Sequence, residues 1–220
     1  MTQQDTTKRG RMTFRELSAR PWRHRPLSEP FAWLPPEGNT PARWFSVGEW
    51  HGRIGAWQQQ LLDTPNDSDS WRLYEPDPIE FGAALIAIWE RGDRVVLPAD
   101  NQPETLSGLR DAGVVLGSSG QTPEQMPSTR LPSRPPRWSS EPLPAVAVSL
   151  YTSGSSGDPQ RIDKRFDQLD AELATQASLW PLRGQLVVSQ VSHQHIYGLL
   201  FSILRPLCEA SPFSAQPCRY

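Results

Sequence analysis

The chain has 220 residues, enough for one large domain or two small ones with a sizeable core. Its formal net charge of −2 gives no reason to expect nucleic acid or an anionic membrane surface as a partner. The 23 prolines and 9 tryptophans indicate a folded protein with stiff connections and exclude a fully disordered chain.

The cysteines and the apolar runs indicate the cellular compartment of the protein. Cys208 and Cys218 provide neither a disulfide framework nor the spacing of metal ligands, which favours a reducing environment. The basic N-terminus is not followed by an apolar run, so we expect no signal peptide. The longest apolar run, residues 83–89, is too short to span a membrane. The sequence therefore predicts a cytoplasmic protein without a membrane span.

The first half of the chain predicts a tail followed by an α/β subdomain. Residues 1–30 are polar, rich in arginine and without sustained periodicity, which predicts a solvated N-terminal tail. Residues 31–116 form the predicted first subdomain. Its aromatic residues up to position 71 are most simply core residues, and a short helix fits Ile54–Leu62.

The stretch "DPIEFGAALIAIWERG" has the start and stop signals of a helix. Asp77 is a suitable N-cap, Pro78 occupies the first helical position, Glu80 lies three residues after the cap, and Gly92 follows the last turn. Apolar residues cover nearly the whole surface of this helix, so we expect it to be buried on most sides.

Helices and strands alternate along most of the remaining sequence. The pattern predicts a strand over 94–98, a helix over 102–113 and a strand over 114–116. Residues 117–144 are rich in Pro and Ser and are expected to be a connection. Residues 145–220 begin the predicted second α/β subdomain. Its predicted elements are a strand over 145–151, a helix over 166–180, a strand over 185–191 and an apolar helix over 196–207. This alternation is typical of a parallel α/β sheet.

A loop rich in glycine and hydroxyl groups, "TSGSSG" at 152–157, separates the predicted strand over 145–151 from the helical pattern after it. Phosphate-binding loops need main-chain N–H groups that point inward, which glycine permits, and hydroxyl groups add donors. The residues of this loop that could bind a nucleotide are Thr152, Ser153, Gly154, Ser155, Ser156 and Gly157. The same tetrapeptide, Gly-Ser-Ser-Gly, also occurs at 117–120, where no helical pattern follows and a simple turn is expected.

Three known loop types do not fit this spacing. A Walker loop would need a lysine directly after the last glycine, which "GSSGDP" lacks. The serine-hydrolase elbow Gly-x-Ser-x-Gly and the dinucleotide fingerprint Gly-x-Gly-x-x-Gly are also not present in the loop. Spacing alone leaves two interpretations open, a phosphate loop of another type and a Gly/Ser turn.

"LYTSGSSGDPQ" resembles the signature loop of the AMP-forming adenylate ligases, the superfamily of acyl-CoA synthetases, luciferases and peptide-synthetase adenylation domains. The match covers Thr152 through Gly157 and Pro159. In that family the loop closes on the β- and γ-phosphates of ATP, which Mg²⁺ accompanies, while a carboxylate attacks the α-phosphate. The general resemblance begins near Trp71. The quoted segments are most similar to the acyl and aryl acid ligases of aryl-polyene and related pigment pathways.

A second segment, "VSHQHIYGLLF", resembles the His-aromatic-Gly motif that lines the acyl pocket of these ligases. His195, Tyr197 and Gly198 take the positions of the histidine, the aromatic residue and the glycine. The resemblance implies that these three residues border the substrate. The alternative from the residues alone is that His193 and His195 are polar residues that cap an apolar helix.

The resemblance implies an incomplete N-terminal domain of the adenylate-ligase fold, an α/β fold with parallel strands and flanking helices. The implied activity converts a small carboxylic acid to an acyl-adenylate and transfers it to CoA or an acyl-carrier protein. Two positions depart from the family pattern, because Gln160 and Arg161 replace its lysine and glycine.

The two lysines, Lys8 and Lys164, do not match the catalytic lysine of the family, which lies with the ribose-binding residues further along the family's chains. No catalytic residue and no metal ligand is therefore assigned. Two alternatives remain open: a truncated, non-catalytic ligase-like module that acts as a scaffold, and an unrelated α/β domain with a Gly/Ser turn.

Overall fold

The computed structural model describes residues 14–98, 100, 102, 105, 109, 114–117, 132–152 and 160–216. The strands of this part are β1 (Pro30–Leu34), β2 (Arg43–Ser46), β3 (Ser70–Tyr74), β4 (Arg94–Leu97), β5 (Val114–Gly117), β6 (Val148–Thr152), β7 (Gln160–Lys164) and β8 (Phe213–Ser214). The α-helices are α1 (Val47–Asp63), α2 (Pro78–Arg91), α3 (Phe166–Leu179), α4 (Ile196–Gly198) and α5 (Arg205–Cys208). A π-helical segment, Leu199–Leu204, joins α4 to α5.

The described strands form two sheets. The larger sheet has the order β5-β3-β4-β6-β7, in which β3, β4, β5 and β6 run parallel and β7 pairs antiparallel with β6. The smaller sheet has the order β2-β1-β8, with an antiparallel β1–β2 pair and a parallel β1–β8 pair. The parallel part of the larger sheet confirms the predicted α/β class.

Helix α2 is the centre of the core. It contacts α1 as well as β3 and β4, and every residue from Ile79 to Glu90 is buried. The predicted N-cap is confirmed, because the Asp77 carboxylate accepts hydrogen bonds from the N–H groups of Ile79 (2.8 Å) and Glu80 (3.3 Å). Gly92 ends the helix with φ 89°, the left-handed conformation that glycine adopts at low cost.

Several other predicted elements are confirmed with shifted ends. The predicted strands over 94–98, 114–116 and 145–151 correspond to β4, β5 and β6, and the helix predicted over 166–180 corresponds to α3. The helix expected at Ile54–Leu62 begins earlier, at Val47, because Ser46 and Glu49 form a capping box there. The helix predicted over 102–113 lies largely outside the described residues.

The expectation of a solvated N-terminal tail is wrong for residues 14–30. Leu17 and Trp22 are fully buried, and the Leu17 N–H donates to the carboxylate of Asp170 at 2.6 Å. These two apolar side chains are too sparse to produce a periodic pattern, so no pattern in the sequence indicates their burial. The first 13 residues lie outside the described part.

A short strap, residues 132–140, runs along α1 without regular secondary structure. A Cβ atom on Gly55 of α1 would lie 2.1 Å from the Arg134 carbonyl oxygen, so only glycine permits this approach. The strap is the described end of the connection that the sequence predicts between two subdomains. One hydrophobic core contains residues from Leu17 through Phe213, on both sides of that connection.

Two differences lie in the second half. The strand predicted over 185–191 is wrong, since its only ladder contact within the described residues is an isolated bridge between Val187 and Phe213. The loop at 152–157 is followed by β7 rather than directly by a helix, so the loop connects two paired strands. The helix predicted over 196–207 is confirmed as a continuous helical run, in which 199–204 is π-helical.

Candidate functional site

The parallel strands β3, β4 and β6 end at one edge of the larger sheet, at Tyr74, Leu97 and Thr152. We call this the carboxyl edge. In open α/β sheets ligands bind beside the carboxyl ends of the strands. The loop that resembles the ligase signature leaves the sheet at this edge, which is the location that a phosphate loop requires.

The β6–β7 pairing fixes both ends of that loop. Thr152 is the Cα partner of Gln160, so β6 ends and β7 begins at adjacent positions of the sheet. Ser153, Gly154, Ser155, Ser156 and Gly157 lie outside the described residues, and of Thr152 only the backbone is described. Their role as nucleotide ligands stays a prediction.

The two cations after the loop have acidic partners. The Arg161 guanidinium donates to both carboxylate oxygens of Asp163, at 2.7 and 2.8 Å, and this interaction raises the pKa of Arg161. Lys164 lies 3.7 Å from a carboxylate oxygen of Glu172. Both cations are exposed or half-buried and lie on the strand that leads away from the carboxyl edge.

The turn before α4 is attached to the connection between β3 and α2. The Glu75 carbonyl oxygen is 2.7 Å from Nε2 of His193 and accepts a second hydrogen bond from Nε2 of Gln194 at 2.8 Å. Burial lowers the pKa of His193, so the ring is neutral at pH 7 and donates from Nε2. His193 therefore attaches this turn to the connection between β3 and α2, whereas His195, the N-cap residue of α4, makes no side-chain capping hydrogen bond, so neither histidine is seen to cap the helix as the alternative predicts.

His195, Tyr197 and Gly198 lie together at the start of α4 but differ in exposure. His195 is the exposed N-cap residue, and Tyr197 is exposed, with its ring stacked on Phe201 at 4.8 Å between ring centres. Gly198 is buried, and a Cβ atom there would lie 2.1 Å from the carbonyl oxygen of Ser192. The structure thus brings the three motif residues together, while their contact with an acyl group stays a prediction.

A cavity of about 240 Å³ lies beside this turn. Its wall includes Tyr74 at the end of β3, His193 and Gln194 in the turn, Ser202 in the π-helical segment and Phe213 in β8. Strand β4 separates β3 from β6, so the cavity and the start of the loop are two strand spacings apart along the carboxyl edge, roughly 10 Å.

Sequence reasoning missed Gln194 and Ser202 as candidate site residues. Gln194 lies inside the motif "VSHQHIYGLLF", between His193 and His195. Ser202 is a polar residue in an otherwise apolar helical pattern, "IYGLLFSIL", and this isolation is the signal that could have found it.

The described residues contain no group of three or more His, Cys, Asp and Glu side chains that could hold a metal ion. No helix in the part of the chain that the structure covers is both long and apolar enough to cross a membrane.

Comparison with solved structures identifies the fold. ATP-bound MatB from Rhodopseudomonas palustris superposes with a TM-score of 0.63 at 16% identity, over 94% of this chain and 46% of that chain. The O-succinylbenzoate coenzyme A synthetase MenE from Bacillus subtilis, in complex with ATP and magnesium ion, gives 0.63 at 18% identity over 89% and 55%. A fatty acyl-adenylate ligase from L. pneumophila, in complex with acyl adenylate and pyrophosphate, gives 0.63 at 15% identity over 92% and 41%.

The chain shares its fold with these three structures, and this likeness confirms the predicted fold class. The chain spans about half or less of the length of these structures, 41% to 55%. No protein-family model and no curated protein sequence matches the chain. At identities of 15% to 18% the likeness establishes the fold, and the activity is argued separately below.

Proposed function

We propose that this chain binds ATP through the loop Thr152–Gly157 and forms part of an AMP-forming acyl or aryl acid ligase. The observation that carries the proposal is the pairing of the strands that bound the loop, since β6 ends at Thr152 and β7 begins at Gln160 at the carboxyl edge. This placement coincides with a sequence that matches the ligase signature at seven positions, Thr152 through Gly157 and Pro159. The fold, which is that of ATP-bound and acyl-adenylate-bound neighbours, supports the same assignment.

The residues of the loop have the chemistry to hold a triphosphate. Gly154 and Gly157 allow main-chain N–H groups to approach phosphate oxygens closely, and the hydroxyl groups of Ser153, Ser155 and Ser156 supply further donors. Held by its β- and γ-phosphates, ATP presents the α-phosphorus to the carboxylate of the acid. The new bond joins the carboxylate oxygen to the α-phosphorus, and pyrophosphate leaves with the electrons of the broken bond.

The remaining parts of the proposal are the substrate and the acceptor. A small carboxylic acid would lie near His195, Tyr197 and Gly198, and the acyl group would pass to the thiol of CoA or of an acyl-carrier protein. Mg²⁺ is expected to enter with ATP, because the phosphate oxygens of the nucleotide are suitable ligands for it.

The test is ATP binding by a loop variant and by a matched control. The double variant Gly154→Ala, Gly157→Ala is expected to bind MgATP about tenfold more weakly or worse by calorimetry, because loop N–H donors move away from phosphate oxygens. The control is Gly117→Ala, Gly120→Ala in the second Gly-Ser-Ser-Gly copy, which should bind like the unmodified chain. Equal MgATP affinity in both variants, or no MgATP binding by the unmodified chain, would overturn the proposal.

Pyrophosphate exchange separates the ligase from the scaffold alternative. Exchange of labelled pyrophosphate into ATP that depends on an added carboxylic acid requires adenylate formation. If the unmodified chain binds MgATP, such exchange assigns catalysis to it. MgATP binding without exchange would leave only the nucleotide-binding part of the proposal in place and favour a module that needs a partner or has no catalytic role.

A further inference from the structure

The segment 185–191 lies at the outer edge of the smaller sheet. Val187 forms a parallel bridge with Phe213 of β8. Its N–H donates to the Pro212 carbonyl oxygen at 2.9 Å, and its own carbonyl oxygen accepts from the N–H of Ser214 at 2.8 Å. Because β8 pairs on its other side with β1, the segment occupies the position of a fourth strand beyond β8.

The outer side of this segment is an open sheet edge. In an extended chain the main-chain groups of successive residues alternate in direction, so those of Leu186 and Val188 point away from β8. Neither residue forms a main-chain hydrogen bond with another described residue. Their exposed fractions are 41% and 53%. A row of unpaired N–H and C=O groups of this kind is a template for a further strand.

The sequence of this edge favours pairing and lacks the usual protection against it. "QLVVSQV" contains no charged residue, no Pro and no Gly, and the side chains of Leu186, Val188 and Val191 are exposed. Natural sheet edges that face water are commonly protected by charged residues, prolines or bulges. Strand β2, at the opposite edge of the same sheet, carries Arg43. The edge at 185–191 therefore has the chemistry of a surface that is covered by protein.

The solved neighbours favour one kind of cover. They share the fold of this chain, which spans 41% to 55% of their length, so about half of each neighbour lies outside the shared part. That additional polypeptide belongs to the same fold and must pack against the shared part. An uncharged sheet edge with unpaired main-chain groups is a suitable place for it.

We propose that the edge at 185–191 receives an extended strand of ligase-fold polypeptide that lies outside these 220 residues. Carbonyl oxygens of the added strand would accept from the N–H groups of Leu186 and Val188, and its own N–H groups would donate to their carbonyl oxygens. Apolar side chains on one face of the added strand would pack on the same two residues. The proposal rests on the shared fold and the open edge rather than on ATP binding, so either can fail without the other.

The probe is a soluble peptide, Thr-Val-Thr-Val-Thr-Val-Thr-Lys, blocked at both ends. Amide hydrogen exchange of the intact chain is followed by NMR. The N–H groups of Leu186 and Val188 are expected to exchange freely without the peptide and at least about tenfold more slowly at saturation. The control is the same peptide with every main-chain nitrogen methylated, which keeps the side chains but cannot donate. It should bind about tenfold more weakly or worse.

Two variants at one position test the direction of the main chain. Val188→Pro removes an N–H that faces outward, and proline is tolerated on an edge strand at such a position, so the midpoint of thermal unfolding should stay nearly the same. Its affinity for the peptide should fall about tenfold. Val188→Thr keeps the N–H and a β-branched side chain, and its affinity should remain within about threefold of that of the unmodified chain.

Several results would overturn the proposal. Slow exchange of the N–H groups of Leu186 and Val188 in the chain alone, at every protein concentration, would show that the chain covers its own edge. Slow exchange that depends on concentration, together with a dimer in sedimentation velocity, would assign the edge to a second copy. No slowing by the peptide, equal binding of the methylated peptide, or equal binding by the two variants would show that no strand is added there.

Discussion

At the residue scale, the motif "SHQHIYG" divides into structural and exposed positions. His193 and Gln194 bind the Glu75 carbonyl oxygen and are buried, whereas His195 and Tyr197 are exposed. Periodicity cannot separate these residues, because both histidines precede the same apolar helix. Their burial is decided by contact with a residue 118 positions earlier in the chain, which no local pattern encodes.

Gly198 and Gly82 offer a matched pair of helical glycines for a packing test. A Cβ atom at position 198 would collide with the Ser192 carbonyl oxygen at 2.1 Å, whereas at position 82 the nearest atom lies 3.7 Å away. Gly198→Ala should lower the free energy of unfolding by about 3 kcal/mol, the upper part of the usual range for overpacking. Gly82→Ala should leave it unchanged or raise it by up to about 1 kcal/mol. Urea denaturation measures both, and equal values would refute the assigned close approach.

At the element scale, capping signals predicted helix ends more reliably than apolar runs predicted strands. Asp77, Pro78 and Gly92 act within one or two turns, so α2 could be placed from sequence with both ends correct to one residue. The run "QLVVSQV" has strand-like composition, but pairing depends on a neighbour. There the N–H of Val191 is bound by its own neighbour, the hydroxyl of Ser189, at 3.1 Å.

Strand β7 was not predicted, because its sequence does not have the composition of a strand. "QRIDK" is almost entirely exposed and polar, with no apolar alternation to mark it. Its pairing with β6 and the hydrogen bond between the Ser149 hydroxyl and Asp163, at 2.6 Å, are what hold it in the sheet. The sequence thus predicted where the candidate loop starts but not the strand that closes it.

The cap of α2 gives a prediction at this scale. Asp77→Ala removes the acceptor for the N–H groups of Ile79 and Glu80, and we expect the free energy of unfolding to fall by about 1 kcal/mol. Asp77→Asn retains an acceptor oxygen and should lose at most a few tenths of that amount. Thermal and urea denaturation measure the stability of the two variants. An equal loss in Asp77→Ala and Asp77→Asn would contradict the assigned cap.

At the scale of the whole molecule, one buried carboxylate joins three distant segments. Glu90 of α2 accepts hydrogen bonds from Nε1 of Trp22 at 2.7 Å, from the guanidinium groups of Arg20 and Arg23, and from the backbone N–H of Ser139 at 3.1 Å. The N-terminal segment and the strap along α1 are thereby fixed to the central helix. This explains why residues 14–30 are packed although their sequence reads as a polar tail.

Replacement of this carboxylate should be costly. Glu90→Gln leaves Arg20 and Arg23 without a charged partner in a partly buried position, and we expect a loss of about 3–5 kcal/mol in the free energy of unfolding. Limited proteolysis should then cut near residues 14–25 sooner than in the unmodified chain. The control is Asp167→Asn, which breaks the fully exposed pair with Arg165 and should leave the free energy of unfolding nearly unchanged. Similar losses in the free energy of unfolding of the two variants would show that Glu90 does not fix the N-terminal segment and the strap to α2.

The register of β6 and β7 has a consequence for how this protein can be altered. Since Thr152 and Gln160 face each other across the ladder, the stretch between them is bounded by two paired positions. Replacement of residues 153–159 by a stretch of another length is therefore expected to leave the pairing of β6 with β7 in place. The effect of such a replacement on the proposed binding of ATP can then be measured separately from its effect on the stability of the sheet.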